Sequence, residues 1–523
     1  MDHRNINSLE KASRSTRLDV MRIGLALLFI TGIVLYTLSR GEASITLVAA
    51  AVIGAYMAMN IGANDVANNV GPAVGSKALT MTGALIIAAI FEAGGALIAG
   101  GDVVSTIRSG IINPAGIPDP DTFIWLMMAA LLAAALWLNI ATAVGAPVST
   151  THSIVGAVLG AGIAAAGPEI ANWGKMGAIA ASWVISPVLG GLVAAGFLFL
   201  IKRCITYKED MAAAAGRTVP MLIAAMTWTF STYIILKGLN QIWKVGFLSA
   251  ALIGGVLAIA AYFISKPYIM RKALARPNTK QGVNEFFTLP LIFAAALLSF
   301  AHGSNDVANA IGPLAAIVDA LSHHAGIAKS AAIPLWVMMI GALGIVVGLC
   351  LFGPKVIRTV GSEITELDQM RAYCIAMSAT LTVIIASQMG LPVSSTHIAV
   401  GGVFGVGFLR EYIKNRYARM VAEIKDHHPE DDQPAIDAFL KEFEIASVRD
   451  KDSMLKDLKV RAKQQLDPAH FSKLERKGLR KVYKQELVKR SQIMRIAAAW
   501  IITVPASALI AALVFYIILG IQA

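Results

Sequence analysis

Gly62-Ala-Asn-Asp-Val-Ala-Asn-Asn-Val-Gly-Pro72 closes a long apolar stretch, and nearly the same run returns as Gly303-Ser-Asn-Asp-Val-Ala-Asn-Ala-Ile-Gly-Pro313, at an offset of 241. An Asn-Asp pair at the end of an apolar helix is costly in lipid, where an aspartate at mid-helix costs roughly 3 kcal/mol on insertion scales. A second pair of motifs keeps the same order: Pro147-Val-Ser-Thr-Thr-His152 and Pro392-Val-Ser-Ser-Thr-His397, at an offset of 245. A third match links Ser182-Trp-Val-Ile-Ser-Pro187 with Ala499-Trp-Ile-Ile-Thr-Val-Pro505, at an offset that has grown to 317 or 318. Three ordered matches define an internal repeat, which decides the fold.

Composition says where this repeat lives. Of 523 residues, 56% are hydrophobic and 15% charged, and the mean hydropathy is +0.65. Soluble chains carry about a quarter charged residues. Apolar runs such as Leu131–Leu138 do not alternate, which excludes a β-barrel and leaves an all-α polytopic membrane protein. About thirteen membrane-crossing elements are expected, near 23–39, 44–64, 80–101, 123–141, 147–166, 174–201, 219–237, 245–265, 286–305, 333–353, 370–390, 392–409 and 496–520. The net charge of +12 is read as positive-inside bias, not as a nucleic-acid surface. Met1–Arg22 is polar and holds five basic residues, and no small-residue cleavage site follows, so a cleavable signal is not expected. The basic connections Lys202–Arg217, Lys266–Lys280 and Arg410–Arg495 then face the cytoplasm with the N-terminus, and the C-terminus lies outside. Cys204, Cys350 and Cys374 are too far apart in sequence for a metal motif and read as small apolar fillers.

The expected organisation is a cytoplasmic N-terminus with an extra transmembrane helix (1–42) and a first repeat (43–201). Loops and two linking helices (202–285) follow, then most of a second repeat (286–409). A charged helical insertion (410–495) precedes the last helix (496–523). The insertion carries 36 of the chain's 78 charges, with helical spacing over Ala435–Leu458 and Pro468–Arg490 and breaks near His427–Pro434 and at Asp467–Pro468. With this topology the first repeat enters from outside and the second from inside. Inverted repeats with broken or re-entrant helices place a substrate site near the midplane, as in secondary transporters.

Each motif carries its own chemistry. Gly62, Gly71 and Pro72 permit unwinding, and unwound carbonyls with Asp carboxylate and Asn amide oxygens suit a small hard cation. Asp65 and Asp306 are equally able to take up protons, and the bland alternative is an Asx cap at a membrane boundary. The Pro-Val-Ser motifs start glycine-rich helices with proline in the first turn and a hydroxyl at the cap. Two such N-termini within the membrane make an anion site, although Ser and Thr also serve as plain packing glue. His152 and His397 suit proton shuttling or hydrogen-bonded packing. Glu92, in Phe91-Glu-Ala-Gly-Gly95, is a coupling or gating candidate, or a buried carboxyl paired with a neighbouring helix.

These paired motifs resemble those of the inorganic phosphate transporters of the PiT family, over nearly all of 44–410 and the last helix. Ser105-Thr-Ile-Arg-Ser-Gly110 and Val356-Ile-Arg-Thr-Val-Gly361 resemble its connecting segments. The resemblance implies cation-coupled phosphate symport by alternating access, in a fold that is dimeric in relatives, and a cell-membrane location such as a bacterial inner membrane. Phosphate is then expected at Ser149, Thr150, Thr151, Ser394, Ser395 and Thr396, near Asp65, Asn68, Asp306 and Asn309. Cation binding and coupling fall to Asn64, Asp65, Asn305, Asp306 and Glu92. Na⁺ is preferred to H⁺ because the Gly-x-Asn-Asp form resembles sodium-coupled members; no other metal or cofactor is expected. Animal relatives carry a second membrane glutamate where this chain has Ala376, and the insertion stands elsewhere than their large loop; it suits regulation or a cytoplasmic partner. Rival readings are the same fold carrying sulfate or another oxyanion, or proton symport of a metal–phosphate complex. Further off are a lipid-phosphate enzyme using Ser149 with His152, and a channel.

Overall fold

The computed structural model describes residues 3–40, 44–117, 119–143, 148–238, 244–322, 333–363, 368–426, 433–445, 454, 457–458 and 491–522. Pro147 of the first hydroxyl motif and the expected helical stretch Pro468–Arg490 lie outside these residues.

All thirteen expected elements are helices. The α-helices of the described residues are, in order, α1 (His3–Ser39), α2 (Ile45–Asn64), α3 (Val66–Gly75), α4 (Met81–Ala99), α5 (Gly101–Ser109), α6 (Pro120–Ala143), α7 (Thr150–Ala166), α8 (Trp173–Ile201), α9 (Met211–Lys237) and α10 (Phe247–Ala275). Then follow α11 (Lys280–Asn284), α12 (Thr288–Asp306), α13 (Ala308–Ser322), α14 (Leu335–Glu363), α15 (Gln369–Gln388), α16 (Ser395–Asp426), α17 (Gln433–Ile445) and α18 (Ser491–Gln522). Among the described residues, eleven helical stretches are long and apolar enough to cross a membrane. Two expected elements fall outside that set for physical reasons. The helix α7 has only 17 residues, and α16 runs on past the expected end at 409 into charged sequence. Helix α9 likewise starts before 219, and α10 runs beyond 265.

Helices α6 and α7 form a hairpin that leaves and returns at one place. Asn113 N–H donates to the Ile170 carbonyl at 2.8 Å and Asn172 N–H to the Ile111 carbonyl at 2.9 Å, so the segments flanking the hairpin lie side by side.

The motif helices are interrupted, but they are not unwound as expected. Asp65 keeps right-handed helical angles (φ −86°, ψ −34°) between α2 and α3, and so does Val307 (φ −55°, ψ −31°) between α12 and α13. The prolines disturb each helix further on. Pro72 and Pro313 lie inside α3 and α13 and bring no N–H to the carbonyl four residues earlier, which belongs to Asn68 and Asn309. The glycines serve a different purpose. A Cβ on Gly62 would stand 1.9 Å from the Ile345 carbonyl oxygen, and one on Gly303 would stand 2.2 Å from that of Glu92. They let α2 cross α14, and α12 cross α4, at backbone contact.

That exchange is general. Helix α2 packs on α14 as α12 packs on α4; α7 packs on α18 as α16 packs on α8; α6 meets α18 as α15 meets α8. Each half thus completes its packing with elements of the other, and the two sets of motifs are drawn to the seam between them.

Candidate functional site

At the seam, the hydroxyl helices meet the motif helices. Ser149 Oγ caps α7 by accepting the His152 N–H at 3.2 Å, and Ser394 Oγ accepts the His397 N–H at 3.3 Å. Each serine acts first as a cap, which sets the N-terminal turn and leaves its own O–H able to donate. The following residues, Thr150, Thr151, Ser395 and Thr396, are buried, and the three threonines bond to residues of the Asn-Asp motifs.

Thr150 Oγ1 donates to Asp65 Oδ2 at 2.7 Å and lies 3.4 Å from Asp306 Oδ2. Asn309 Nδ2 donates to both Thr150 and Thr151, each at 3.1 Å. On the other side Asn68 Nδ2 donates to Thr396 Oγ1 at 2.8 Å, and Thr396 Oγ1 lies 3.4 Å from Asp65 Oδ1. Two buried carboxylates sharing one hydroxyl form a site that repels itself unless a cation or proton joins it. Asp306 Oδ1 and Asn309 Oδ1 are buried there, and Ser395 Oγ is buried at the start of α16; none of the three has a hydrogen-bond partner among the described residues. Orphaned acceptors beside two capped helix starts are what a joint anion and cation site needs.

Of the expected residues, Asp65, Asp306, Asn68, Asn309, Thr150, Thr151 and Thr396 come together. Asn305 does not join them through its side chain. Its Nδ2 donates to Ser387 Oγ at 3.0 Å and to the Leu391 carbonyl at 3.1 Å, while its Oδ1 accepts the Val393 N–H at 3.2 Å. Both ends of this amide brace the turn that aims α16. Asn64 Nδ2 donates back to the Asn60 carbonyl on its own helix. His152 and His397 meet edge to face with ring centroids 4.6 Å apart, and Trp183 lies 3.9 Å from His152. The rings pack on one another, but the buried Nδ1 and Nε2 of His152 have no hydrogen-bond partner among the described residues, so the expected hydrogen-bonded packing is not what holds it.

Glu92 is fully buried and reaches the site through His302, with Asn69 bonded to its other oxygen, two residues the sequence reading passed over. Asn69 Nδ2 donates to Glu92 Oε1 at 2.7 Å, and Glu92 Oε2 lies 2.7 Å from His302 Nδ1. His302 Nε2 stands 3.2 Å from Asp306 Oδ2. Ligand atoms of Asp65, His302 and Asp306 all lie within 4.8 Å of one another, a spacing able to hold a metal ion. The available signal was His302 itself, an ionisable residue one turn before Asp306 in an apolar helix.

Comparison with known proteins identifies the family. The chain is 53% identical to "Putative phosphate permease" of Helicobacter pylori (strain J99), over 98% of each chain. It is 39% identical to a protein of the same description from Pyrococcus abyssi, over 69% of this chain and 88% of that one. A solved structure described as "The sodium-dependent phosphate transporter" superposes with a TM-score of 0.73 at 29% identity, covering 91% of this chain and 99% of that one. The pattern of the Phosphate transporter family matches residues 61–511, and this multi-pass membrane chain, with its paired Asn-Asp and hydroxyl motifs joined at one site, belongs to that family.

Proposed function

We propose that the protein imports inorganic phosphate by symport with Na⁺, using alternating access at the seam between two inverted repeats. The observation that carries this reading is the joint site. Orphaned oxygens of Asp306 and Asn309 stand beside the Asp65 carboxylate and the capped start of α7, and Ser395 carries another at the start of α16. Helix N-termini and hydroxyls supply donors to an oxyanion, and carboxylates supply oxygen ligands to a hard cation. A protonated phosphate oxygen can donate to Asp65 or Asp306, whereas sulfate near neutral pH has no such proton, so two carboxylates favour phosphate.

In this reading Thr150, Thr151, Ser395 and Thr396, with Asn68 and Asn309, hold the anion, helped by the O–H groups of Ser149 and Ser394. Asp65 and Asp306 hold the cation, with Glu92 in support. The cation offsets the anion's charge and lowers the cost of carrying it across. The solved relative is described as sodium-dependent, which supports Na⁺ over H⁺. The N-terminus is assigned to the cytoplasm and the C-terminus to the outside, in a homodimer, with 410–495 as a cytoplasmic module.

The test is labelled phosphate uptake into proteoliposomes under an imposed Na⁺ gradient or an imposed pH gradient, with excess sulfate as competitor. Na⁺-driven uptake that ignores sulfate is expected. Uptake driven by protons alone would overturn the coupling ion, and entry of sulfate in place of phosphate would overturn the substrate.

A further inference from the structure

The turn before the second hydroxyl motif, Gly390 to Val393, joins α15 to α16. It belongs to no helix, so its carbonyls need partners from elsewhere. Irregular backbone at membrane depth survives only where the protein buries it and supplies such partners. Gly390, at φ +64°, turns the chain back. Its N–H and that of Leu391 close on the Ser387 and Ala386 carbonyls at the end of α15.

The four carbonyls of the turn are taken one by one, each by a side chain of a different helix. Thr106 Oγ1 of α5 donates to the Gly390 carbonyl at 2.7 Å, and Asn305 Nδ2 of α12 to that of Leu391 at 3.1 Å. Trp183 Nε1 of α8 donates to the Pro392 carbonyl, and Thr151 Oγ1 of α7 to that of Val393, each at 3.0 Å. Thr106 also has an acceptor within its own helix, the Asp102 carbonyl at 3.4 Å, yet its shorter contact crosses to the turn. The next residue is Ser394, the cap of α16. A grip on the turn from four helices therefore sets where the hydroxyls and free N–H groups of that helix start point. Thr106 and Trp183 come from the connecting segment Ser105–Gly110 and the repeated stretch Ser182–Pro187, neither of which lines the site itself.

We propose that Thr106 and Trp183 are positioning residues of the anion site, which with Asn305 clamp the turn so that the start of α16 is held ready for a phosphate group. This rests on the phosphate reading above. A loosened turn leaves the helix start in place for only part of the time, and apparent affinity for the anion falls by that fraction.

Two variants each remove one donor. Thr106→Val keeps the shape of the side chain and loses the O–H. Trp183→Phe keeps a ring beside His152 and loses the N–H. Both are checked for folding by size-exclusion profile and reconstituted in proteoliposomes. Labelled phosphate uptake is measured against phosphate at saturating Na⁺, and against Na⁺ at saturating phosphate. Each variant is expected to raise the phosphate KM about fivefold or more, with the half-saturating Na⁺ concentration moving less than about threefold. Thr106→Ser keeps the hydroxyl, and its KM is expected to stay close to that of the natural protein. Lower thermal stability or lower maximal rate with an unmoved KM would show that these bonds merely satisfy buried carbonyls, and would overturn the proposal. So would Thr106→Ser behaving like Thr106→Val. If Thr106→Val does not fold, Trp183→Phe decides alone. Absence of phosphate uptake by the unaltered protein would instead overturn the substrate reading on which the proposal stands.

Discussion

The Thr150 hydroxyl donates to the Asp65 carboxylate at 2.7 Å, joining the start of α7 to the break between α2 and α3. This single contact ties a proposed anion ligand to a proposed cation ligand. Thr150→Ala removes the donor and leaves both the buried Asp65 oxygen and the Asn309 amide short of a partner. Each such loss costs about 1–3 kcal/mol. Uptake in proteoliposomes is expected to fall about tenfold or more, and Thr150→Ser to restore most of it. Equal damage from Ala and Ser would show that the methyl group, not the hydroxyl, matters.

Arg108 Nη2 stands 2.6 Å from Asp319 Oδ2, with both side chains buried, and joins α5 to α13. Removing one charge strands the other in a dry interface at about 3–5 kcal/mol, whereas an apolar replacement of both is often neutral. Asp319→Leu is expected to lower the unfolding temperature in detergent sharply, and Arg108→Met added to it to recover much of the loss. A double variant no better than the single would sink this account.

Gly62→Ala and Gly303→Ala both drive a methyl group into a backbone carbonyl, where no side chain can rotate away. The helices must separate, so loss of folded protein is expected on a size-exclusion trace. Gly177, within α8, has nothing within 4 Å of its would-be Cβ, and Gly177→Ala is expected to be neutral or to stabilise by up to about 1 kcal/mol through helix propensity.

Ser149→Ala and Ser394→Ala each remove a helix cap, at a typical cost of about 1 kcal/mol. Ser149→Asp restores the cap but places a negative charge where phosphate is proposed to bind. Thermal stability is therefore expected to recover in Ser149→Asp while uptake does not. Recovery of both would exclude this helix start from the anion site.

Much of this was legible in the sequence, for reasons that can be named. Apolar length and the positions of Ser149, Ser394 and the motif prolines locate the helices and their starts. Repetition of Asp65 as Asp306, and of Thr151 as Thr396, marked residues that the fold brings together. What repetition favours, it also hides. His302 and Asn69 have apolar twins in Ile61 and Ala310, so a search for matched pairs discards them. Asn305 erred the other way: it is repeated as faithfully as Asp306, yet its amide is committed to Ser387, Leu391 and Val393. Glycine is ambiguous in one dimension, since Gly62 reads equally as a place to unwind or a place to touch, and only the carbonyl of Ile345 decides. The end of α16 was misplaced because lipid-compatible composition stops near 409 while helix propensity does not.

That last helix has a mechanical meaning. Its 32 residues run without a break from Ser395 to Asp426, about 48 Å at roughly 1.5 Å per residue. The buried Ser395 hydroxyl and Asp426, inside the charged segment that begins at Arg410, are thus two ends of one strut. A push along its axis at Asp426 arrives at Ser395 as displacement, without any loop to absorb it, so whatever grips that segment has its hand on a lever that ends at a proposed anion ligand.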